Sequence, residues 1–338
     1  MSAATSAGKG GRLRLALAFA CAAVLAVVAL LSIASATGGG RTATARLAGA
    51  ALSLAPGPRL VALSTDRSSR GHLVSVPSRD PGARRQVSPL TCARFHAAAG
   101  TGLCLRLDGD LTTYQLVVLD AGLAQRRAIP LVGVPNRARV SPSGRWVAWT
   151  VFVTGDSYNG GRFSTRVGLL DTHTQELVPT LEDWAVTVGG RPYKAADLNF
   201  WGVTFTTDDQ RFYATMSTAG HRYLVEGDLI AKTLRTLHEN VECPSLSPDG
   251  TRLAFKSAVD GDPRRGWRLS VLDLATMRET RLAETRSVDD QAAWIDGNTV
   301  AYAIPRGRGE ADVWQVPADG SGRPRPLIGG ADSPAALG

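Results

Sequence analysis

The chain contains five histidines, His72, His96, His173, His221 and His238, and none stands in a pattern that carries chemistry. A serine nucleophile needs a histidine oriented by an acid, and no G-x-S-x-G elbow occurs. His173 lies in the turn sequence DTHTQ, His221 at a loop-to-strand junction and His238 after a strand. A solvated polar side chain is the ordinary occupant of such positions. There is no H-E-x-x-H or other clustered ligand spacing. Asp108-Gly109-Asp110 and Asp260-Gly261-Asp262 lack the continuation of a calcium loop, so no metal or cofactor is expected. The sequence offers arginine interleaved with aromatics instead. TDRSSRG, TGDSYNGGRF, DGDPRRGW and PRGRGE carry Arg67, Arg70, Tyr158, Arg162, Phe163, Arg264, Arg265, Trp267, Arg306 and Arg308. Binding hot spots favour that mixture, and these ten residues are the candidate binding set. A solvated loop face in an arginine-rich protein is the plain alternative.

Cys92 and Cys104 flank the glycine-containing stretch HAAAGTG and are candidates for a bridge between adjacent antiparallel strands. Cys243 would then remain unpaired and buried. An exported domain can keep a disulfide, and the N-terminus argues for export. Lys9, Arg12 and Arg14 precede Leu15 to Ala36, about twenty apolar residues without a charge, enough for one helix to cross a bilayer. The leading positive charges keep residues 1–14 in the cytoplasm and place the rest outside. Ala34-Ser35-Ala36 also fits a cleavage site, so a secreted product after signal cleavage is the alternative. The length of the apolar run favours an uncleaved anchor at 15–36, followed by a linker at 37–58. The net charge of +8 comes from scattered arginines without a basic run, so nucleic acid is not an expected partner.

The elements that must position any site repeat along the chain. Val140 to Trp149 reads VSPSGRWVAW and Leu246 to Phe255 reads LSPDGTRLAF. In each, proline fixes φ at the second turn position, glycine accepts the left-handed conformation that follows, and a strand begins. Phe205 to Ala214, FTTDDQRFYA, and Trp294 to Tyr302, WIDGNTVAY, are weaker copies. A variable loop follows each copy. Then come a third strand ending in Leu-Asp or Val-Pro, a polar turn and a basic fourth strand, as in RVGLLDTHTQELVP and RLSVLDLATMRETRL. A period of about 42 to 47 residues with four strands is the mark of propeller blades. Six blades are predicted, at roughly 59–90, 91–131, 137–181, 200–240, 241–285 and 289–330, with Glu182 to Asn199 as an insertion. The first lacks its leading strand, and residues 330–337 resemble the leading strand of the last. The C-terminal tail is therefore expected to close the ring over 59–338. Trp146, Trp149, Trp294 and Tyr302 alternate within strands and are expected between blades. Asp171 and Asp273 are expected to cap the turns after their third strands.

These SPDG-type repeats, followed by strands of the LSVLDL or VWQVPADG type, resemble those of the TolB-like six-bladed β-propellers, a WD40-like (PD40) repeat class. The resemblance covers about 59–337. It implies an all-β six-bladed propeller and a binding role, since founding members are periplasmic parts of an envelope assembly that bind partner proteins. The N-terminal apolar segment and the lack of the extra α/β domain set this sequence apart from those members. Propellers of this class also precede the catalytic domain of prolyl oligopeptidase-like enzymes, and this chain ends where that domain would begin. The expected function is thus a non-catalytic, membrane-anchored module of the cell envelope that binds a protein partner or small ligand. In such a disc the loops after the second strands and the loops between blades share one face. The alternative is a small hydrolase or lyase using acids at the channel mouth. Asp197, Glu242, Asp289 and Asp290 are the acids placed to try, and the leading strands are expected to offer few others.

Overall fold

A computed structural model describes residues 52–109, 112–153 and 164–338. VSPSGRWVAW and LSPDGTRLAF fold into the same turn. Ser141 N–H donates to the Trp146 carbonyl, Gly144 N–H returns to the Ser141 carbonyl, and Trp146 N–H donates to the Ser141 hydroxyl. Ser247, Gly250 and Arg252 repeat all three bonds. Gly144 and Gly250 sit at φ 80° and 72°, the left-handed region that glycine enters without penalty. The weaker copy substitutes chemistry and keeps geometry. Thr206 supplies the hydroxyl for Arg211 N–H, and Asp209 takes the left-handed position at φ 56°.

Those turns join the first two strands of each antiparallel sheet. Blade 1 contributes β1 (Arg59–Ser64), β2 (His72–Pro77) and β3 (Gln86–Thr91). Blade 2 is β4 (Arg94–Ala98), β5 (Thr101–Leu107), β6 (Tyr114–Leu119) and β7 (Gln125–Leu131). Blade 3 is β8 (Val134–Val140), β9 (Trp146–Val153), β10 (Ser164–Asp171) and β11 (Leu177–Val178). A hairpin, β12 (Ala185–Val188) and β13 (Arg191–Tyr193), comes next. Blade 4 is β14 (Asn199–Phe205), β15 (Arg211–Thr218), β16 (His221–Asp228) and β17 (Thr233–Glu239). Blade 5 is β18 (Glu242–Leu246), β19 (Arg252–Ala258), β20 (Trp267–Asp273) and β21 (Glu279–Arg281). Blade 6 is β22 (Ala293–Trp294), β23 (Thr299–Gly307), β24 (Glu310–Pro317) and β25 (Arg325–Ile328). The last strand, β26 (Ala331–Ala336), pairs with β1 and completes blade 1 in the order β26-β1-β2-β3. The fold is therefore a closed six-bladed β-propeller, with the sequence-derived blades displaced by a few residues at most.

Six apolar clusters sit one at each seam between neighbouring blades. Trp146 of blade 3 stacks on Phe205 of blade 4, and Trp149 joins blade 2 side chains. Trp294 and Tyr302 fill the seam between blades 5 and 6. Their polar ends are satisfied across the same seam: Trp294 Nε1 donates to the Ser245 carbonyl and the Tyr302 hydroxyl to Glu284. Asp171 caps its turn by accepting from His173 and Thr174 N–H. Burial alone would raise its carboxyl, but Arg145 and those N–H groups hold it below the ordinary aspartate range. Asp273 accepts from Thr276 N–H in the equivalent turn.

The insertion at 182–199 does not stand out as a free loop. Its hairpin lies on the outer edge of blade 4, where β12 pairs in parallel with β17. Trp184 is buried against Phe212, and the Tyr193 hydroxyl bonds to that of Thr218. Edge pairing satisfies the β17 backbone and explains why these aromatics serve the core. Cys92 and Cys104 are bridged, and Cys243 is free and buried. Among the described residues no helix is long and apolar enough to cross a membrane. The expected anchor at Leu15 to Ala36 lies outside the described residues.

Candidate ligand site at the channel mouth

Each blade's leading strand lines the central channel, and its first residues reach the face shared by the inter-blade loops. On that face a cavity of about 590 Å³ opens above blades 3, 4 and 5. Its wall comes from strand starts and the ends of second strands: Arg94, Arg137, Arg222, Glu242, Lys256 and Trp267 among them. Lys256 is the organising group. It sits in the apolar strand β19 with a side chain only 4% exposed. Its ammonium contacts Asp289, lies 3.4 Å from Glu242 and stands 4.2 Å above the Trp267 ring. Arg222 holds the other Glu242 oxygen at 2.5 Å and faces the same ring at 5.8 Å. An unpaired buried charge would cost several kcal/mol, about 3 to 5, so this knot of two cations, two acids and an indole holds together only as a set.

The electrostatics follow from that packing. Burial pushes the Glu242 carboxyl up against the pull of Lys256 and Arg222. For Lys256, burial would lower the ammonium, but the neighbouring acids outweigh it and hold it above the ordinary lysine value. Asp289 falls below the ordinary range because Lys256 outweighs its own desolvation. On the opposite wall Arg94 Nε and Arg137 Nη1 both donate to the Asn136 carbonyl, at 2.7 and 3.0 Å. Arg137 stands 4.0 Å from Asp289. A second, smaller cavity of about 30 Å³, the neck, shares Arg94, Asn136 and Arg137 with the first and is lined further along the same strands by His96 and Arg139, with Asp290 and Gln291.

The structure sorts the sequence-derived candidates. Trp267 lines the mouth. Arg67 pairs with Glu310 at 3.6 Å, and Arg306 with Glu310 and Asp312. Arg70 donates to the carbonyls of Gly309 and Arg308. Arg67 and Arg70 thus tie the loop of blade 1 to that of blade 6, Arg308 receiving Arg70 on its carbonyl, while Arg306 pairs within blade 6. Arg264 and Arg265 pair with Asp262 and Asp260 inside their own short turn. None of the six lines the cavity. Tyr158, Arg162 and Phe163 lie outside the described residues. Of the four acids expected, Asp197, Glu242 and Asp289 line the mouth. Beyond Glu242 the leading strands add His96 of β4, Asp332 of β26 and three arginines that the sequence analysis did not single out, Arg94, Arg137 and Arg139. The missed signal was legible as polar residues where an inner strand should be apolar: VPNRARV in β8 and the lone lysine of LAFKSA in β19. Among the described residues no group of three or more His, Cys, Asp and Glu is placed to hold a metal.

No family model matches the chain, and no curated protein sequence matches it. Solved structures do. TolB from Acinetobacter baumannii superposes with a TM-score of 0.61 at 17% identity, covering 83% of this chain and 67% of that one. The fold is that of TolB. A chain of the nidogen/laminin complex superposes with a TM-score of 0.52 at 11% identity, over 82% of this chain and 97% of that one. At such identities the TolB likeness establishes blade number, strand order and closure. The charged mouth described above belongs to this chain's own residues.

Proposed function

We propose that this TolB-like propeller is an extracytoplasmic binding module of the cell envelope, and that it captures its partner at the channel mouth rather than through the arginine loops. The observation that carries this reading is the cavity itself. It is a wide opening walled by desolvated cations, acids and Trp267, the composition that concentrates binding energy. In the described arginine loops Arg67, Arg70, Arg264, Arg265 and Arg306 are already engaged by acids and carbonyls. Placement outside the cytoplasm is supported by the Cys92–Cys104 bridge, since disulfides persist in oxidising compartments, and by the apolar run at Leu15 to Ala36, which would tether the propeller to the membrane. A non-catalytic role is favoured by the state of the acids. Asp197 accepts from the Thr218 hydroxyl and Ala219 N–H, and Asp290 from Gln291 and Ala303 N–H. Glu242 and Asp289 are held by Lys256. One observation favours the enzymatic alternative: burial raises Glu242 toward the range of a general acid.

The test is crosslinking capture from intact cell envelopes with the full chain as bait. The wild type is expected to retain one or two envelope proteins in stoichiometric amounts. Trp267→Ala with Arg94→Gln should lower capture at least tenfold, while Arg264→Ala, Arg265→Ala and Arg308→Ala together should leave it intact. Equal capture by the wild type and the mouth variant would overturn the assignment to the mouth.

A further inference from the structure

The neck below the mouth contains more hydrogen-bond donors than acceptors. Arg139 comes from the innermost strand β8 and is 8% exposed. Its Nη2 donates to the Ala292 carbonyl and its Nη1 faces His96 Nε2 at 3.0 Å. His96 Nδ1 meanwhile accepts Val140 N–H at 3.1 Å. Burial, and then the Arg139 charge, hold the His96 ring well below its ordinary value, so it is neutral. A neutral imidazole offers one lone pair. Two N–H donors approach this one, and one of them therefore goes without an acceptor. The Nε–H groups of Arg137 and Arg139 are also buried without a partner among the described residues. A buried donor left unsatisfied costs about 1 to 3 kcal/mol. Three such donors in one small space call for an acceptor that the chain does not supply.

The charges agree. The neck is lined by the guanidinium groups of Arg94, Arg137 and Arg139 and by one carboxylate, Asp290. Both Asp290 oxygens already accept backbone N–H groups, from Gln291 and Ala303. Burial pushes up the carboxyl of Asp332, which feels Arg94 and Asp290; its Oδ1 is itself buried without a partner among the described residues, but the side chain does not line this space and so does not supply the missing acceptor there. Burial lowers Arg139 to about 10, so it remains charged at neutral pH, and its positive charge is poorly compensated. The size sets the ligand. A water needs about 10 to 15 Å³ of such space, so about 30 Å³ takes about two oxygen atoms, too little for the four of phosphate. The neck and the mouth share Arg94, Asn136 and Arg137 in their walls. A head group in the neck would therefore leave its body in the wider mouth.

We propose that the neck is a binding site for the carboxylate of a small organic acid, whose two oxygens accept from Arg137 and Arg139 while the remainder of the molecule occupies the mouth beside Trp267. This deepens the reading of the mouth as a binding site, and it is tested without any protein partner, so the two can fail separately. The purified full chain is titrated calorimetrically with acetate, succinate and benzoate at fixed ionic strength. Acetamide and benzamide serve as neutral isosteres, and chloride and inorganic phosphate as competing anions. The carboxylates are expected to bind at least tenfold more tightly than their amides and than either inorganic anion. Arg139→Gln, with unchanged circular dichroism, should remove that preference. If Arg139→Gln does not fold, Arg137→Gln carries the test and should weaken carboxylate binding about tenfold. Equal binding of benzoate and benzamide, tighter binding of phosphate, absence of carboxylate binding, or full affinity in a folded arginine variant would overturn the proposal.

Discussion

Single residues matter here through what they leave behind when removed. Lys256 is the clearest case. Its ammonium is enclosed by Glu242, Asp289 and the Trp267 ring. Replacing it removes one charge and leaves Glu242, whose side chain is only 7% exposed, with Arg222 as its single compensating cation. Losing one partner of a buried pair costs about 3 to 5 kcal/mol. Lys256→Met is therefore expected to lower the urea-derived unfolding free energy at pH 7 by about 3 kcal/mol. Adding Glu242→Gln should recover part of that, since the buried carboxylate that only Arg222 then offsets is gone, while Arg222, 24% exposed, keeps access to water. A loss under about 1 kcal/mol, or no recovery in the double variant, would mean that Lys256 is not the group that compensates Glu242.

Strands of this propeller are fitted to one another by alternating large and absent side chains. In blade 3, Gly168 of β10 lies directly opposite Trp149 of β9, and in blade 4 Gly227 of β16 lies opposite Phe212 of β15. A Cβ on Gly168 would come within 2.1 Å of the Trp149 ring, and one on Gly227 within 2.2 Å of Phe212. Neither glycine is needed for a left-handed backbone. Both provide the floor on which an aromatic of the neighbouring strand lies. Overpacking a filled core costs about 1 to 3 kcal/mol, and Gly168→Ala should lose that much by chemical denaturation. Gly168→Ala with Trp149→Leu should recover part of it. Wild-type stability in Gly168→Ala would show that the Trp149 ring can move aside without cost.

The whole molecule depends on a contact between its ends. The strand β26 pairs with β1 from Leu60 opposite Ala336 to Ser64 opposite Ala331. Near it, the Thr65 hydroxyl exchanges hydrogen bonds with the Ala311 backbone of blade 6. Removing residues 331–338 takes away the inner strand of blade 1. It also takes away Ala331 from the seam between blades 6 and 1, and Ala335 and Leu337 from the seam between blades 1 and 2. That opens an apolar sheet edge, the template for aggregation. Such a truncation should elute as soluble aggregate in size-exclusion chromatography and lose cooperative thermal unfolding. A monomeric, cooperatively unfolding product would show that five complete blades and a partial one suffice.

The sequence by itself determined the number of blades, the turn chemistry of each copy, the tryptophans at the seams and the identity of the closing strand. All of these follow from short-range rules: a Ser-Pro-x-Gly turn fixes its own hydrogen bonds, and an alternating strand fixes its own faces. The arrangement of the site was decided only in three dimensions. Arg94, Arg137, Arg139, Arg222, Glu242 and Lys256 come from four different blades, and ring closure brings them together: Arg94, Arg137, Arg139 and Glu242 from leading strands, Lys256 from a second strand and Arg222 from the start of a third. Their charges are then set by mutual burial, which no local pattern encodes. Of the arginines that looked most available in the sequence, Arg67, Arg264, Arg265 and Arg306 pair with acids of the loops. Closure also brings three arginines and a single carboxylate around one narrow neck.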